Sequence, residues 1–326
     1  MKVLIPPIKC QGIKSKLIPW IAETIQWDSK GVWIEPFMGS GVVGFNLKPR
    51  TALFCDTNPH LIAFYQGINN KTIHPFLVRE FLESEGSELV KHGADYYYEV
   101  RQRFNTEKSP LDFLFLNRAC FNGLIRFNRK GKFNVPFGHK PERFSKAYVT
   151  KIVNQVAWVA KLASLSDWTF LHQDFQITLS RANEADFIYC DPPYAGRHTD
   201  YFNTWGETQE KSLYEGLKEA QARFILSTWH SNEHRNNPAI STLWSEFNVI
   251  TREHFYHLGA KESNRKPMLE ALVTNFEPAP KPRKTASECE TYAADALQLK
   301  LLQQKGQSRY TPRDSFSEKT ELNRKN

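Results

Sequence analysis

Short apolar runs, each closed by a polar residue, recur along the first 280 positions. Val32-Trp33-Ile34-Glu35 leads into a glycine-rich turn, and Thr51-Ala52-Leu53-Phe54-Cys55 ends at Asp56. Asp186-Phe187-Ile188-Tyr189-Cys190 ends at Asp191, and Arg223-Phe224-Ile225-Leu226-Ser227 ends at Thr228. Runs that are apolar throughout suit strands buried on both faces. Helix-like stretches lie between them, so the pattern predicts an α/β fold built on a doubly wound, mostly parallel sheet. From about Thr72 to Ala147 this rhythm yields to aromatic-rich, basic, turn-rich sequence, which predicts a module inserted into the sheet. The expected division is 1–70 and 150–278 for the sheet domain, 71–149 for the insert and 279–326 for a flexible basic tail. The tail is poor in large apolar residues and holds one helix-like patch, Ala293 to Gln304, after the capping-box spacing of Ser287 to Glu290.

Composition narrows the class. Among 326 residues, 40 % are hydrophobic and 24 % charged, as in ordinary globular chains. No apolar run approaches the roughly 18–20 residues of a membrane span, and the N-terminal apolar stretch is too short for a secretion signal. Five cysteines without a C-x-x-C pair argue against a disulfide framework or zinc cluster and suit a reducing cytoplasm. His198, His230 and His234 lack metal-ligand spacing, so no metal is expected. Lys and Arg number 43 against 35 Asp and Glu, a net +8 that favours polyanionic partners. Ten basic and seven acidic residues fall from Glu277 onward, so most of the excess belongs to the body.

Two motifs carry the chemistry. Gly39, Gly41 and Gly44 follow the first strong strand in G-x-G-x-x-G spacing, and Asp56 ends the next strand. Such glycines let backbone approach a nucleoside, and the acid suits a ribose. This turn alone fits either NAD or S-adenosylmethionine. Asp191-Pro192-Pro193-Tyr194 closes another strand at the edge where open parallel sheets bind ligands. Methylating an exocyclic amine requires drawing its lone pair back from the ring. The Asp191 carboxylate and Pro192 carbonyl can accept the two N–H groups, and Tyr194 can stack on the base. The prolines hold these acceptors at low ordering cost.

Over roughly residues 8 to 277 the chain resembles the Dam-type (D12 class, alpha group) N6-adenine DNA methyltransferases. Glu35 to Gly41 is similar to the family's cofactor loop, Asp56 to its ribose-binding acid, and His172-Gln173-Asp174-Phe175 to the segment holding the cofactor's adenine. Leu116-Asn117-Arg118, Phe121 to Leu124 and Phe133 to Gly138 resemble its recognition module; Asn264-Arg265 and Glu270-Ala271-Leu272 resemble its closing strand region. The resemblance implies a Rossmann-like methyltransferase sheet with an inserted helical and hairpin target-recognition domain. It implies S-adenosylmethionine held by Lys14, Glu35, Phe37, Gly39, Gly41, Asp56, Asp174 and Phe175, with Asp191, Pro192 and Tyr194 catalytic. It further implies direct in-line transfer to a flipped-out adenine of double-stranded DNA, in a cytoplasmic monomer, with or without a separately acting restriction endonuclease. The N-terminal box departs from the family's K-W-x-G-G-K: Cys10 stands for the aromatic and Ile13 for the second glycine, so weaker or rearranged cofactor packing is expected.

The insert supplies the expected reader. Arg118, Arg126, Arg129, Lys130, Lys132, Lys140 and Arg143 alternate with Phe121, Phe127, Phe133 and Phe137, most of these phenylalanines being expected in a core. Asn128 to Lys132 predicts a hairpin turn with Gly131 at positive φ. A basic hairpin can enter a groove, its cations on phosphates and one or two side chains on base edges. By resemblance Lys9, Leu124, Arg126 and Pro136 read GATC, with Asn128 beside them on the DNA. Rival readings are an N4-cytosine methyltransferase, an NAD-dependent oxidoreductase and a non-catalytic DNA-binding regulator. The last two leave the tetrapeptide without a use.

Overall fold

The computed structural model describes residues 1–194, 205–255 and 267–278. Residues 1–279 form one compact unit and 280–326 a second. The expected tail, its Ala293–Gln304 helix, His198 and Asn264-Arg265 lie outside the described residues.

Among the described residues eight strands form one sheet: β1 (Trp33–Glu35), β2 (Thr51–Asp56), β3 (Asp167–His172), β4 (Phe187–Cys190), β5 (Arg223–Asn232), β6 (Arg235–Asn236), β7 (Asn248–Phe255) and β8 (Pro267–Thr274). Their order is β3-β2-β1-β4-β5-β8-β7, with β6 beside β5. The first five pair in parallel; β8 runs antiparallel to both β5 and β7. All four apolar runs read from the sequence are strands, although β5 continues to Asn232, well past Thr228.

Strand alternation splits the core across the sheet. Trp33, Phe187, Tyr189, Ile225 and Leu272 face one side; Ile34, Ile188, Phe224, Leu226 and Val273 face the other. The first side is covered by α1 (Ile18–Thr24), α2 (Val42–Leu47), α3 (Pro59–Asn69), α4 (Pro75–His92), α5 (Ala94–Glu107), α6 (Pro110–Ala119) and α7 (Lys146–Ser164). The second carries α8 (Phe175–Leu179), α9 (Glu207–Glu219) and α10 (Pro238–Thr242). Helix starts follow local chemistry. Asn58 caps α3 by accepting from the His60 and Leu61 amides, with Pro59 at the first helical position. In α7 the buried positions Val149, Ile152, Val153, Val156 and Val159 trace one helical stripe.

Residues 71–149 do not build a core of their own. Phe104, Phe113, Phe115, Phe133 and Phe137 belong to the same apolar cluster as Trp33 and Phe187 of the sheet. Helix α7 runs across the expected boundary at 149/150 and delivers the chain to β3.

Arg118 corrects one expectation. It is buried rather than facing a groove, donating to the Pro7 carbonyl, to Gln155 Oε1 at 2.7 Å and to the Tyr148 hydroxyl at 3.3 Å. Its neighbour Asn117 clamps Lys9 from both sides: Oδ1 accepts from Lys9 N at 2.9 Å and Nδ2 donates to Lys9 O at 2.9 Å. The helix-end signature Leu116-Asn117-Arg118 therefore binds the N-terminal segment to the insert. Phe133 and Phe137 are buried and Phe127 packs on the core, as expected of most of these phenylalanines, while Phe121 is exposed.

Replacing Asn117 by Ala strips the Lys9 amide and carbonyl of their buried partner and should cost about 1–3 kcal/mol. Urea unfolding at pH 7 measures this; a loss below about 0.5 kcal/mol would mean that the clamp is energetically idle.

Candidate active site

Strand order reverses between β1 and β4, whose carboxyl ends carry the two sequence motifs. Ligands in open α/β sheets bind at such a switch point. Here a cavity of about 890 Å³ opens, lined by the glycine turn, Asp56, Asp174, the tetrapeptide and the N-terminal segment from Cys10 to Lys14.

The glycine turn needs its glycines for space. Gly41 has φ +71°, and a Cβ there would lie 2.5 Å from the Phe45 ring; a Cβ on Gly44 would meet Phe54 at 2.4 Å. Asp56 braces the turn, accepting from the Gly39 amide at 3.0 Å and the Asn58 amide at 2.8 Å. Burial pushes its carboxyl up despite these donors. Glu35 lies deeper. The Trp33 indole N–H reaches its Oε1 at 2.8 Å, yet burial drives its pKa up to about 8. Asp174 caps α8 by accepting from the Gln176 amide at 2.9 Å and keeps a place on the cavity wall.

The opposite wall is aromatic. Phe37 stacks on Phe175 at 5.3 Å, and Trp205 meets Phe37 edge-on at 5.3 Å. Trp205 was not legible as a site residue. Its indole is held by Glu210 Oε2 at 2.6 Å, a partner one helical turn into α9.

At the tetrapeptide, Lys14 donates to Asp191 Oδ1 at 2.6 Å and to the Gly12 carbonyl at 3.1 Å. The Lys14 side chain is 4 % exposed and that of Asp191 22 %. Lys14 is expected beside the cofactor and the target base; it lines the cavity, paired with the Asp191 carboxylate and with its ammonium 4.9 Å from the Tyr194 ring centroid. The Tyr194 hydroxyl donates to Glu270 Oε2 at 2.7 Å. Burial raises the Asp191 pKa, Lys14 lowers it and Glu270 raises it.

Leu124, Arg126, Asn128 and Pro136 of the expected DNA-reading residues lie on one ribbon, while Lys9 comes from the N-terminal segment. Phe127 bridges Phe133, and the Asn134 amide donates to Arg126 O at 3.2 Å. The Asn128 side chain accepts from the Lys130 and Lys132 amides and so shapes the turn, with Gly131 at φ +66°. Leu124 is half-buried and Pro136 exposed. Arg126 Nε donates to Asn134 Oδ1 at 2.7 Å and Nη2 to Asn134 O at 3.2 Å. That fixes the guanidinium plane through its Nε side; the end-on edge, the one suited to guanine, is a separate pair of N–H groups. Lys9 lies against Gly123, whose Cβ would come within 2.5 Å of Lys9 Cδ. Ile125, between Leu124 and Arg126, reaches the cavity itself. Among the described residues no His, Cys, Asp and Glu group could hold a metal, and no helix is long and apolar enough to cross a membrane.

A doubly wound sheet whose glycine turn and Asp-Pro-Pro-Tyr tetrapeptide share one cavity at the switch point is a Rossmann-like architecture. The chain belongs to the D12 class N6 adenine-specific DNA methyltransferase family, whose model matches residues 11–258. DNA adenine methylase of Haemophilus influenzae is 33 % identical over 241 residues, 70 % of this chain and 79 % of that protein. Modification methylase StsI of Streptococcus sanguinis is 29 % identical over 291 residues, 85 % of this chain and 43 % of that one. DNA adenine methylase of Serratia marcescens is 36 % identical over 166 residues, 50 % and 57 % respectively. The chain thus spans about half the length of the last two.

Lys14→Ala should leave the Asp191 charge without its ion-pair partner, at a cost on the order of 3 kcal/mol at pH 7. Loss of Lys14 raises the Asp191 pKa further, so the deficit shrinks as acidification protonates Asp191. Urea unfolding at pH 7 and pH 5 tests the sign; a deficit that grows toward pH 5 would refute the assignment.

Proposed function

We propose that the chain is a site-specific DNA methyltransferase that transfers a methyl group from S-adenosylmethionine to N6 of adenine in double-stranded DNA. The observation that carries this reading is the meeting of the glycine turn, Asp191 to Tyr194 and Ile125 of the hairpin ribbon in one cavity. Cofactor site, amine-orienting site and recognition surface are contiguous.

The residues suit the cofactor. The cavity lies within the usual ligand-pocket range of about 300–1,000 Å³. Its Phe37, Phe175 and Trp205 wall suits an adenine ring, Asp56 a ribose, and Asp174 an exocyclic amine. The acid-rich lining favours a cationic ligand. When bound, S-adenosylmethionine supplies an electrophilic methyl group on a cationic sulfur. The protein's part is positioning. Target adenine leaves the stack, since its N6 is out of reach within the duplex. Asp191 and the Pro192 carbonyl accept its two N–H groups and localise the lone pair. Tyr194 stacks on the ring, and Lys14 keeps the Asp191 carboxylate in place. No cysteine nucleophile is required.

Residues 71–149 serve as the target-recognition domain on a catalytic domain of 1–70 and 150–278. Lys9, Leu124, Arg126, Asn128 and Pro136 form the reading surface, and GATC is the target. The enzyme works as a cytoplasmic monomer, with or without a separately acting restriction endonuclease.

Single-molecule sequencing of DNA from a methylation-free host expressing the chain tests the reading. N6-methyladenine at one short motif is expected, falling at least about a hundredfold in Asp191→Ala. Soluble chain with no modified adenine would overturn it. In the same experiment Arg126→Ala should relax discrimination at a single base pair, by about 1–3 kcal/mol. Uniform weakening on every sequence would make Arg126 a phosphate contact instead.

A further inference from the structure

We propose that Glu270, on β8, is a positioning residue for the methyl-transfer reaction: through the Tyr194 hydroxyl it fixes the ring that stacks on the target adenine and favours that base as it becomes positively charged. The inference rests on the methyltransferase reading of the site and adds a residue from the far, antiparallel part of the sheet.

Glu270 is 0 % exposed. It lies opposite Trp229 of β5 and Arg252 of β7. A carboxyl group in such a place is costly unless hydrogen bonds compensate it. Its Oε2 accepts the Tyr194 hydroxyl at 2.7 Å, a well-formed O–H···O bond. Tyr194 is therefore held at both ends: its backbone follows two prolines of fixed φ, and its hydroxyl is tied to a rigid strand. The ring plane is set before any base arrives.

Charge gives the arrangement a second effect. Methylation places a positive charge on the adenine until one N6 proton leaves to solvent. A phenol donating to a carboxylate carries more electron density in its ring, and an aromatic face attracts cations. The Lys14 ammonium already lies 4.9 Å from that centroid. Glu270 thus supplies negative charge behind the ring on which the base becomes cationic, where preorganised charge is most effective. An uncharged acceptor would hold the ring without this gain.

The groups facing Asp191 are Lys14 from the N-terminal segment, Glu35 from β1, Tyr189 from β4, Tyr194, and Glu270 from β8. Glu270 raises the Asp191 pKa. Removing its charge lowers that pKa, so the acid limb of kcat, which requires ionised Asp191, should move to lower pH.

The test compares wild type, Glu270→Gln, Tyr194→Phe and the double variant on a methylatable duplex, with 2-aminopurine at the target position in a parallel binding assay. Glu270→Gln should lower kcat about tenfold, with KM for DNA and for S-adenosylmethionine within about twofold. The double variant should be no worse than the worse single one, because both changes break the same bond. Both single variants should leave 2-aminopurine less quenched, and the acid limb should shift downward only where Glu270 is changed. Losses that multiply in the double variant, a raised KM with intact kcat, or an unmoved acid limb would overturn the proposal. Should Glu270→Gln fail to fold, Tyr194→Phe breaks the bond from the cavity side; unchanged kcat and quenching there would equally overturn it. A wild-type chain that methylates no adenine sinks the methyltransferase reading, while the 2-aminopurine arm still decides whether Glu270 governs Tyr194.

Discussion

The ion pair between Lys14 and Asp191 joins the two ends of the catalytic unit, 177 residues apart in sequence. Asp191 is set at the switch point by β4, but its carboxylate is aimed by a lysine from outside the sheet. That lysine is placed in turn by the segment leading to it. Pro7 is held by Arg118, and Lys9 by Asn117 on both its amide and its carbonyl. Five residues after Lys9, the same segment reaches Asp191. One short strap therefore connects the end of α6 to the carboxylate of Asp191. A shift of α6 cannot leave the carboxylate untouched, because the strap is bonded at each end.

The electrostatics of the cavity follow from how little positive charge it contains. Glu35, Asp56 and Asp191 all line it and all have carboxyls raised by burial; among the described lining residues Lys14 is the one ammonium. With a pKa near 8, Glu35 is largely neutral at pH 7. The cost of burying several carboxylates is reduced when one of them keeps its proton. A cationic ligand would reverse that balance by favouring ionised Glu35. The site is thus adjusted to receive positive charge rather than to hold an anion.

Strands β1, β2, β4 and β5 were legible because each carries an apolar run ended by a polar residue, and the two motifs sit directly on such ends; β3, an edge strand of alternating buried and exposed residues, was not read. The hairpin turn was legible from Asn128 and Gly131, whose local chemistry dictates it. Long-range pairings were not. Nothing near Lys14 in sequence marks Asp191 as its partner. Nothing near Trp205 marks it as the third ring of a wall made by Phe37 and Phe175. Nothing near Glu270 in sequence marks Tyr194 as its partner, 76 residues away. Arg118 is buried for the same reason: the segment that crosses the end of α6 and accepts from it is the distant Pro7 to Lys9.

The departure in the N-terminal box can be weighed against this geometry. Cys10 and Ile13 both line the cavity, where the family resemblance leads one to expect an aromatic and a glycine. Burial and the neighbouring Asp56 push the Cys10 thiol up, so it presents a small neutral surface rather than a charge. Such a surface offers less stacking than an indole. The far wall offers more, because Phe37, Phe175 and Trp205 are packed ring against ring and Trp205 is anchored by Glu210. Three mutually supported rings lose little freedom when a planar ligand settles on them. The aromatic surface among the described lining residues is therefore concentrated on the wall built from β1's turn, α8 and the entry to α9, while the strap pairs with Asp191.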